Sequence, residues 1–335
     1  MKKDKLKKLL IFGLNSINYD SGLVNWLNID GSRNLTKGSE TWITARMLHI
    51  YCLAKMANIE ITNLDKVIET IENSLANKLF DKVNDGWFSK IDNCRASDRK
   101  ESYQHAFVLL AYATYATTYN SLIAKEKLDH ALKIFLNKFY DKEYGLFSDS
   151  FSNDWQNKDT YRGLNANMHA VEALLAVFDI TNDYKILKIV ERIIDFVIDL
   201  LKDNNFLLVE HFSENWQPLK DYNIENKADQ FKPYGATIGH SFEWSRLFIQ
   251  FVYTAKGLIS SEKRTNILEK ALKLFDKAEK VGWDKGYVYT VDFLGTPIIK
   301  ERMHWVLCEA LNASKAFYLI TKEHKYFEIY KKDEK

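Results

Sequence analysis

Proline is nearly absent: Pro218, Pro233 and Pro297 are the three in 335 residues. Few positions therefore force a helix to stop. With 46% apolar and 14% aromatic residues, the chain has the material for a large helical core. Cysteine is as scarce. Cys52, Cys94 and Cys308 are odd in number, far apart and without a CxxC pair, which argues against a disulfide framework and for buried thiols in a reducing, cytoplasmic setting. Long apolar runs are missing too; the stretch Leu9–Leu14 is too short for a signal segment or a membrane span. Neither charge is in excess: 47 basic residues face 45 acidic ones, for a formal net charge of +2. Without a basic stripe, neither nucleic acid nor a membrane surface is an expected partner, and the lysine-rich ends read as solvated termini.

What is present is a repeat. Short strand-like pieces begin at Gly22, Gly86, Gly145, Phe206 and Gly286, spaced by 64, 59, 61 and 80 residues. Between them lie helical patterns of two kinds. Thr41–Ala57, His105–Tyr119, Ala166–Ile180, Ser241–Ala255 and Trp305–Ile320 are apolar nearly all round. Leu64–Leu79, Ala124–Tyr140, Lys185–Lys202 and Arg264–Lys280 alternate apolar and charged residues at helical period. A helix without a polar face is buried, and an amphipathic one sits at the surface. Alternating inner and outer helices predict an all-α chain, an (α/α)6-type toroid with short β-hairpin inserts, forming a single domain over residues 1–335. A unit of about sixty residues exceeds the ~33–47 of common helical solenoids, which disfavours an open superhelix. Only five inner helices are found, one short of a closed ring, with Lys5–Asn15 and His324–Tyr330 as further outer helices. The ring is thus expected to be incomplete, leaving apolar sides of Lys5–Asn15 and Trp305–Ile320 for a second subunit to cover.

The polar residues of the inner helices gather at their N-terminal ends. They are Trp42 and Arg46; Tyr103, Gln104 and His105; Asn165 and His169; His240 and Glu243; His304, Trp305 and Glu309. Two of these starts carry the same HxxE pair, His169-Ala-Val-Glu172 and His240-Ser-Phe-Glu243, and residues three apart share a helix face. Aromatic faces interleaved with hydroxyl, amide and guanidinium groups suit a monosaccharide. Two histidines, each with a carboxylate one turn on to fix its tautomer, suit enolisation beside a carbonyl; Arg46 would stabilise the oxyanion. His49, His105 and His130 read as hydrogen-bonded core residues, and His211 and His324 as surface or loop residues. Arg46 needs a partner, for which Glu243 and Glu309 are candidates. The polar loop Leu219–Lys232 runs into the His240 segment and would act as a lid. No metal or cofactor is expected, because carboxylate-bridged di-metal bundles use the reverse order, Glu-x-x-His, with further glutamates. A glycosidase would use two of Glu172, Glu243 and Glu309, but histidine and arginine dominate the set.

The words Thr41-Trp-Ile-Thr-Ala-Arg-Met-Leu-His49, Tyr103-Gln-His105, Asn165-Ala-Asn-Met-His-Ala-Val-Glu-Ala173, Tyr234–Arg246 and Tyr287-Val-Tyr-Thr-Val-Asp292 resemble the N-acylglucosamine 2-epimerase superfamily, in its branch of bacterial mannose and sulfoquinovose aldose–ketose isomerases. The resemblance implies an α/α toroid and metal-free proton transfer through a cis-enediolate. It implies His240 as a general acid/base, His169 as the histidine of ring opening, and Glu243 as the residue that orients a histidine. Trp42, Arg46, Tyr103, Asn165 and Trp305 would hold the sugar, with Glu309 beside them. Two departures follow. Relatives add a hairpin that carries a further catalytic histidine, for which this sequence has no counterpart. Gln230 stands where some relatives carry arginine, which favours a neutral aldose such as mannose over an anionic one. A 2-epimerase, or a sugar-binding remnant without turnover, is the alternative.

Overall fold

The computed structural model describes residues 2–92 and 95–334; Cys94 lies outside them. Among the described residues there are eleven α-helices: α1 (Lys2–Gly13), α2 (Thr41–Met56), α3 (Leu64–Asn73), α4 (Ser102–Tyr119), α5 (Leu122–Lys138), α6 (Leu164–Thr181), α7 (Tyr184–Asp203), α8 (Ile238–Thr254), α9 (Ser261–Gly282), α10 (His304–Thr321) and α11 (His324–Asp333). Strands are two or three residues long and pair antiparallel. The all-α class with short hairpin inserts is as expected. Two compact units can be distinguished: Met1–Asp159 with Glu172–Asp183, and Thr160–Val171 with Tyr184–Lys335. No described helix is long and apolar enough to cross a membrane.

The two kinds of helix differ in burial as their patterns demand. On α8, Phe242, Trp244, Leu247, Phe248, Phe251 and Val252 are buried on successive faces. On α7 the buried residues Ile186, Val190, Ile193, Val197 and Leu201 form one stripe. Two outer helices, α5 and α9, start with side-chain caps: Ser121 Oγ accepts from the Ala124 N–H at 3.2 Å, and Ser260 Oγ from the Lys263 N–H at 3.1 Å. Inner helices start differently. The residues before α2, α4 and α8, Glu40, Glu101 and Thr237, are extended and make no side-chain cap.

In each of these inner helices a backbone carbonyl from the next strand-like piece takes the first N–H instead. Thr41 N–H donates to Ser89 O at 3.0 Å, Ser102 to Asp149 at 2.7 Å, Leu164 to Glu210 at 2.9 Å and Ile238 to Tyr289 at 3.1 Å. The strands follow the same rule: Ser39–Glu40 pairs with Lys90–Asp92, Arg99–Glu101 with Ser150–Ser152, Arg162–Gly163 with His211–Phe212, and Ala236–Thr237 with Thr290–Val291. A donor left unpaired at a buried helix start costs about 1–3 kcal/mol. This recurring bond therefore fixes where α2, α4, α6 and α8 begin. It also moves the starts of α4, α6 and α8 about one turn ahead of the sequence-based boundaries, because the strand runs straight into the helix.

Some side chains keep their expected places and others depart from them. His211 is buried on a strand rather than exposed in a loop, because its ring fills both of its hydrogen bonds inside the fold. His130 is about half-exposed and faces Asp85 at 3.2 Å, since the outer helix α5 turns it outward. Cys52 is buried, its thiol pushed up to about 12 mainly by burial, whereas Cys308 is only half-buried. His49 is partly buried and donates from Nδ1 to Thr114 Oγ1 at 2.6 Å. Leu9 and Phe12 of α1 are exposed, as is Leu319 of α10.

His105 is the buried histidine with the largest consequence for stability. Its Nδ1–H donates to Glu101 O at 2.8 Å and its Nε2 accepts from the Trp87 N–H at 3.0 Å. Burial, aided by the Lys100 ammonium, lowers its pKa to about 3. An unfolded histidine takes up a proton below about pH 6.5, while the folded one does not until about pH 3. Stability should therefore fall as pH drops through that window, by up to about 1.4 kcal/mol per unit from this group. Urea unfolding between pH 7.5 and 4.5 is expected to show a steeper acid loss for the wild type than for His105→Gln; parallel curves would refute the assignment.

Candidate active site

In the second unit the functional side chains are set by the turn entering α8. Gly235 has φ +94, and a Cβ there would lie 2.4 Å from Val291 O, so a side chain is excluded on both counts. Gly239 is required by contact alone: a Cβ would sit 2.2 Å from Cζ3 of Trp305. The indole thus lies on the first turn of α8, with its ring 5.4 Å from the His240 ring and tilted 40°. Tyr289 meets the same indole edge-on at 6.0 Å.

Two imidazoles each turn Nδ1 towards a buried carboxylate. His240 Nδ1–H donates to Glu210 Oε1 at 3.1 Å, and the Glu210 side chain is 4% exposed against 13% for His240. His169 Nδ1 lies 3.7 Å from Glu243 Oε1, both side chains being almost fully buried. For His240 and Glu243 the pairing differs from the one read from the HxxE spacing. Glu243 faces the histidine of α6 rather than the one a turn before it on α8. The carboxylate against His240 comes from the strand-like piece Phe206–Phe212. The physical reason is direction: side chains three apart share a face but run parallel, so each is better met head-on from a neighbouring element. Because a carboxylate only accepts, Glu210 fixes the proton on Nδ1 and makes Nε2 the basic nitrogen of neutral His240.

A guanidinium completes the set. Arg246 Nη2 is 3.9 Å from Glu243 Oε1, its Nε is 3.7 Å from Glu309 Oε2, and its Nη1 donates to Gln250 Oε1 at 3.2 Å. The carboxylates Glu243 and Glu309, candidates on sequence grounds to partner Arg46, thus flank Arg246. Within this unit the positive group among these acids is supplied by the chain itself. Arg246 and Glu309 are each 20% exposed, so the row runs from the buried His169 towards solvent. Asn165, on the first turn of α6, has a buried Oδ1 with no hydrogen-bond partner in the structure. Such an orphan acceptor is what a ligand hydroxyl would satisfy. His304 is exposed at the start of α10, with Nδ1 3.6 Å from Cys308 Sγ.

The first unit holds Trp42, Arg46 and Tyr103. The Arg46 guanidinium lies over the Phe107 ring at 4.1 Å and the Trp42 ring at 5.3 Å, and Trp42 meets Tyr103 edge-on at 6.1 Å. Cation–π contact thus partners Arg46 within its unit. Gln104 braces this start: its Oε1 accepts from the Trp42 N–H at 2.7 Å, and its Nε2 donates to Glu101 at 3.1 Å. Glu40, just before α2, has its carboxyl raised to about 7, chiefly by burial, with Lys90 opposing and Glu101 adding to the rise. Glu172 lies in the half of α6 assigned to this unit.

Sequence reasoning missed Glu210 and Arg246. A signal for Glu210 was present: aligned on the repeat, it occupies the place of Ser89, Asp149 and Tyr289, the residues whose carbonyls hold the helix starts.

Residues 22–334 match the model of the N-acylglucosamine 2-epimerase (GlcNAc 2-epimerase) family. The chain is 36% identical over 313 residues to a D-mannose isomerase of Thermobifida fusca, covering 91% of this chain and 75% of that one. It is 37% identical over 299 residues to a D-mannose isomerase of Pseudomonas cannabina pv. alisalensis, covering 87% and 70%. A crystal structure of D-mannose isomerase superposes with a TM-score of 0.87 at 25% identity, over 97% of this chain and 82% of that one. These likenesses bear out the α/α-toroid class expected from the repeat.

The contact between Gly239 and Trp305 makes a direct prediction. Gly239→Ala should cost about 1–3 kcal/mol, as overpacking does, and displace the indole from His240. Denaturant unfolding monitored by tryptophan fluorescence checks both; an unchanged midpoint and spectrum would mean that the indole does not rest on this turn.

Proposed function

Because the chain belongs to the N-acylglucosamine 2-epimerase family, we propose that it is a D-mannose isomerase, an aldose–ketose isomerase that interconverts mannose and fructose by histidine acid/base catalysis. The observation that carries this reading is the pair of imidazoles whose Nδ1 atoms face Glu210 and Glu243, joined to 36–37% identity with two D-mannose isomerases.

The geometry supports the following sequence. The sugar ring opens as the bond from C1 to the ring oxygen breaks, with His169 delivering a proton to that oxygen while the anomeric hydroxyl gives up its own to leave the C1 carbonyl. Nε2 of His240 then takes the proton from C2 of the open aldose, and the electron pair moves into the C1–C2 bond while the carbonyl oxygen on C1 becomes the enediolate oxygen. The same nitrogen returns the proton to C1 on the same face. The O2 hydroxyl proton passes to O1, C2 becomes the ketone, and no atom is gained or lost. Glu210 stabilises the imidazolium formed in between, which a positioned acid/base group turns into roughly 10²–10⁴-fold in rate. Asn165 offers its orphan Oδ1 to a sugar hydroxyl, and Trp305 its face to the apolar side of the sugar. In the first unit Trp42 and Tyr103, with Arg46 over the Trp42 and Phe107 rings, form a surface of the same sugar-binding kind. A 2-epimerase on this chemistry would return the proton to the other face of C2, so the product decides between them.

Mannose incubated with the protein in deuterium oxide should yield fructose carrying deuterium at C1, with exchange at C2 of recovered mannose. His240→Ala should abolish both. Glu210→Gln should lower kcat/KM by roughly 10²-fold, at the lower end of the acid/base contribution. Glucose as the labelled product would establish the epimerase instead, and full turnover by His240→Ala would remove His240 from the mechanism.

A further inference from the structure

His211 follows Glu210 directly, and on a strand successive side chains point to opposite sides. Glu210 faces α8, and His211 faces the loop that runs from Leu219 to Pro233. The residue holds both ends of that loop. Its backbone carbonyl accepts the Leu219 N–H at 2.8 Å, and its Nε2–H donates to Pro233 O at 2.8 Å. Its Nδ1 accepts the Tyr161 hydroxyl proton at 2.7 Å. A carbonyl has no proton to give, so Nε2 carries the hydrogen and Nδ1 the lone pair. The tautomer is set by geometry.

The ring is 5% exposed and lies 4.7 Å from the Tyr222 ring, with Tyr222 5.1 Å from Tyr161. Lys232 places its ammonium over the Tyr161 ring at 3.7 Å. Burial, with Lys232 and His240 as like charges, lowers the imidazole pKa, against the Pro233 carbonyl and Glu210. The ring makes both bonds at once, donating on one side and accepting on the other. The loop in turn reaches the sugar side. Tyr289 donates its hydroxyl to Gln230 O at 3.0 Å, and its ring packs on the Trp305 that lies against His240. His211 touches none of the reacting groups. It sits one residue from the carboxylate that does.

We propose that His211 is a positioning residue: by clasping both ends of the Leu219–Pro233 loop to the strand that carries Glu210, it holds that carboxylate against His240. The effect on turnover rests on the isomerase reading above; the clasp does not. Lys220 and Lys227 lie within the loop, so trypsin nicking of the native protein reports its release without any substrate. His211→Ala should raise the nicking rate about tenfold, as loss of one buried hydrogen-bond anchor does. It should also shift the NMR resonance of the His240 ring, identified by its absence in His240→Ala, and lower kcat on mannose about tenfold with KM within about threefold. His211→Gln, which can still donate to Pro233 O, should restore loop protection and part of kcat. Tyr161→Phe, which removes one hydroxyl, should give a smaller change in the same direction. These two variants keep the question open to test where the alanine variant does not fold. Unchanged nicking in His211→Ala would overturn the clasp. Faster nicking with an unmoved His240 resonance and unchanged kcat would overturn its link to Glu210. If the wild type itself leaves mannose untouched, the isomerase reading fails, while nicking and the His240 resonance still decide this one.

Discussion

The fold depends on a short backbone bond repeated from hairpin to hairpin: the first N–H of an inner helix given to a carbonyl of the following strand-like piece. An inner helix has no room for a hydrated end, and its first N–H groups would otherwise be buried without acceptors. The neighbouring strand supplies one, and the short antiparallel pair beside it sets the register. Helix starts become the most sharply located points of the chain. Side chains on their first turns inherit that definition, which is what proton transfer over ~3 Å requires.

Around His240 this constraint is joined to electrostatics. Placing a carboxylate as buried as Glu210 costs several kcal/mol unless a donor meets it. The His240 Nδ1–H is that donor, and the charge of the acid is in turn available to an imidazolium. Glu243 is treated likewise, between His169 and Arg246. The acids are not spread evenly: one serves an imidazole alone, and one is shared with a guanidinium. That asymmetry gives the two histidines different surroundings, as two different tasks, ring opening and carbon deprotonation, would need.

Much of this was legible in the sequence, and the limits follow from the kind of signal. Helices came through because an unbroken apolar run or a 3.6 period is written over fifteen or more residues: the expected inner helix Thr41–Ala57 is observed at Thr41–Met56, and the outer Lys185–Lys202 at Tyr184–Asp203. His169 and His240 were found because the HxxE word recurs. Glu243 was named as an orienting carboxylate, but Glu210 was not, because spacing along one helix says which residues share a face, not which element that face meets. Assigning the pairs needs the tertiary arrangement. His211 was misplaced for a related reason: a histidine in a short polar-flanked segment looks exposed, and only the paired strand shows that both ring nitrogens are used inside. The place of Arg46 likewise depended on aromatic neighbours, Trp42 and Phe107, that no charge-pairing argument would propose.

The position that carries Glu210 shows why such a scaffold can host chemistry cheaply. Ser89, Asp149, Glu210 and Tyr289 perform the same structural duty with four different side chains, because the bond to the helix start uses only the backbone carbonyl. The side chain is therefore released from the work of holding the fold. At Tyr289 it braces the loop and an indole, while at Glu210 it holds the His240 imidazole in one tautomer. A site whose stabilising contact is main-chain can change its side chain without losing its helix start, so substrate-facing residues can vary along the repeat while its geometry stays fixed. In this chain the position next to the fixed carbonyl has been used as well: His211 turns the same strand outward to the loop, so that one short segment braces the helix behind it, the imidazole beside it and the loop in front.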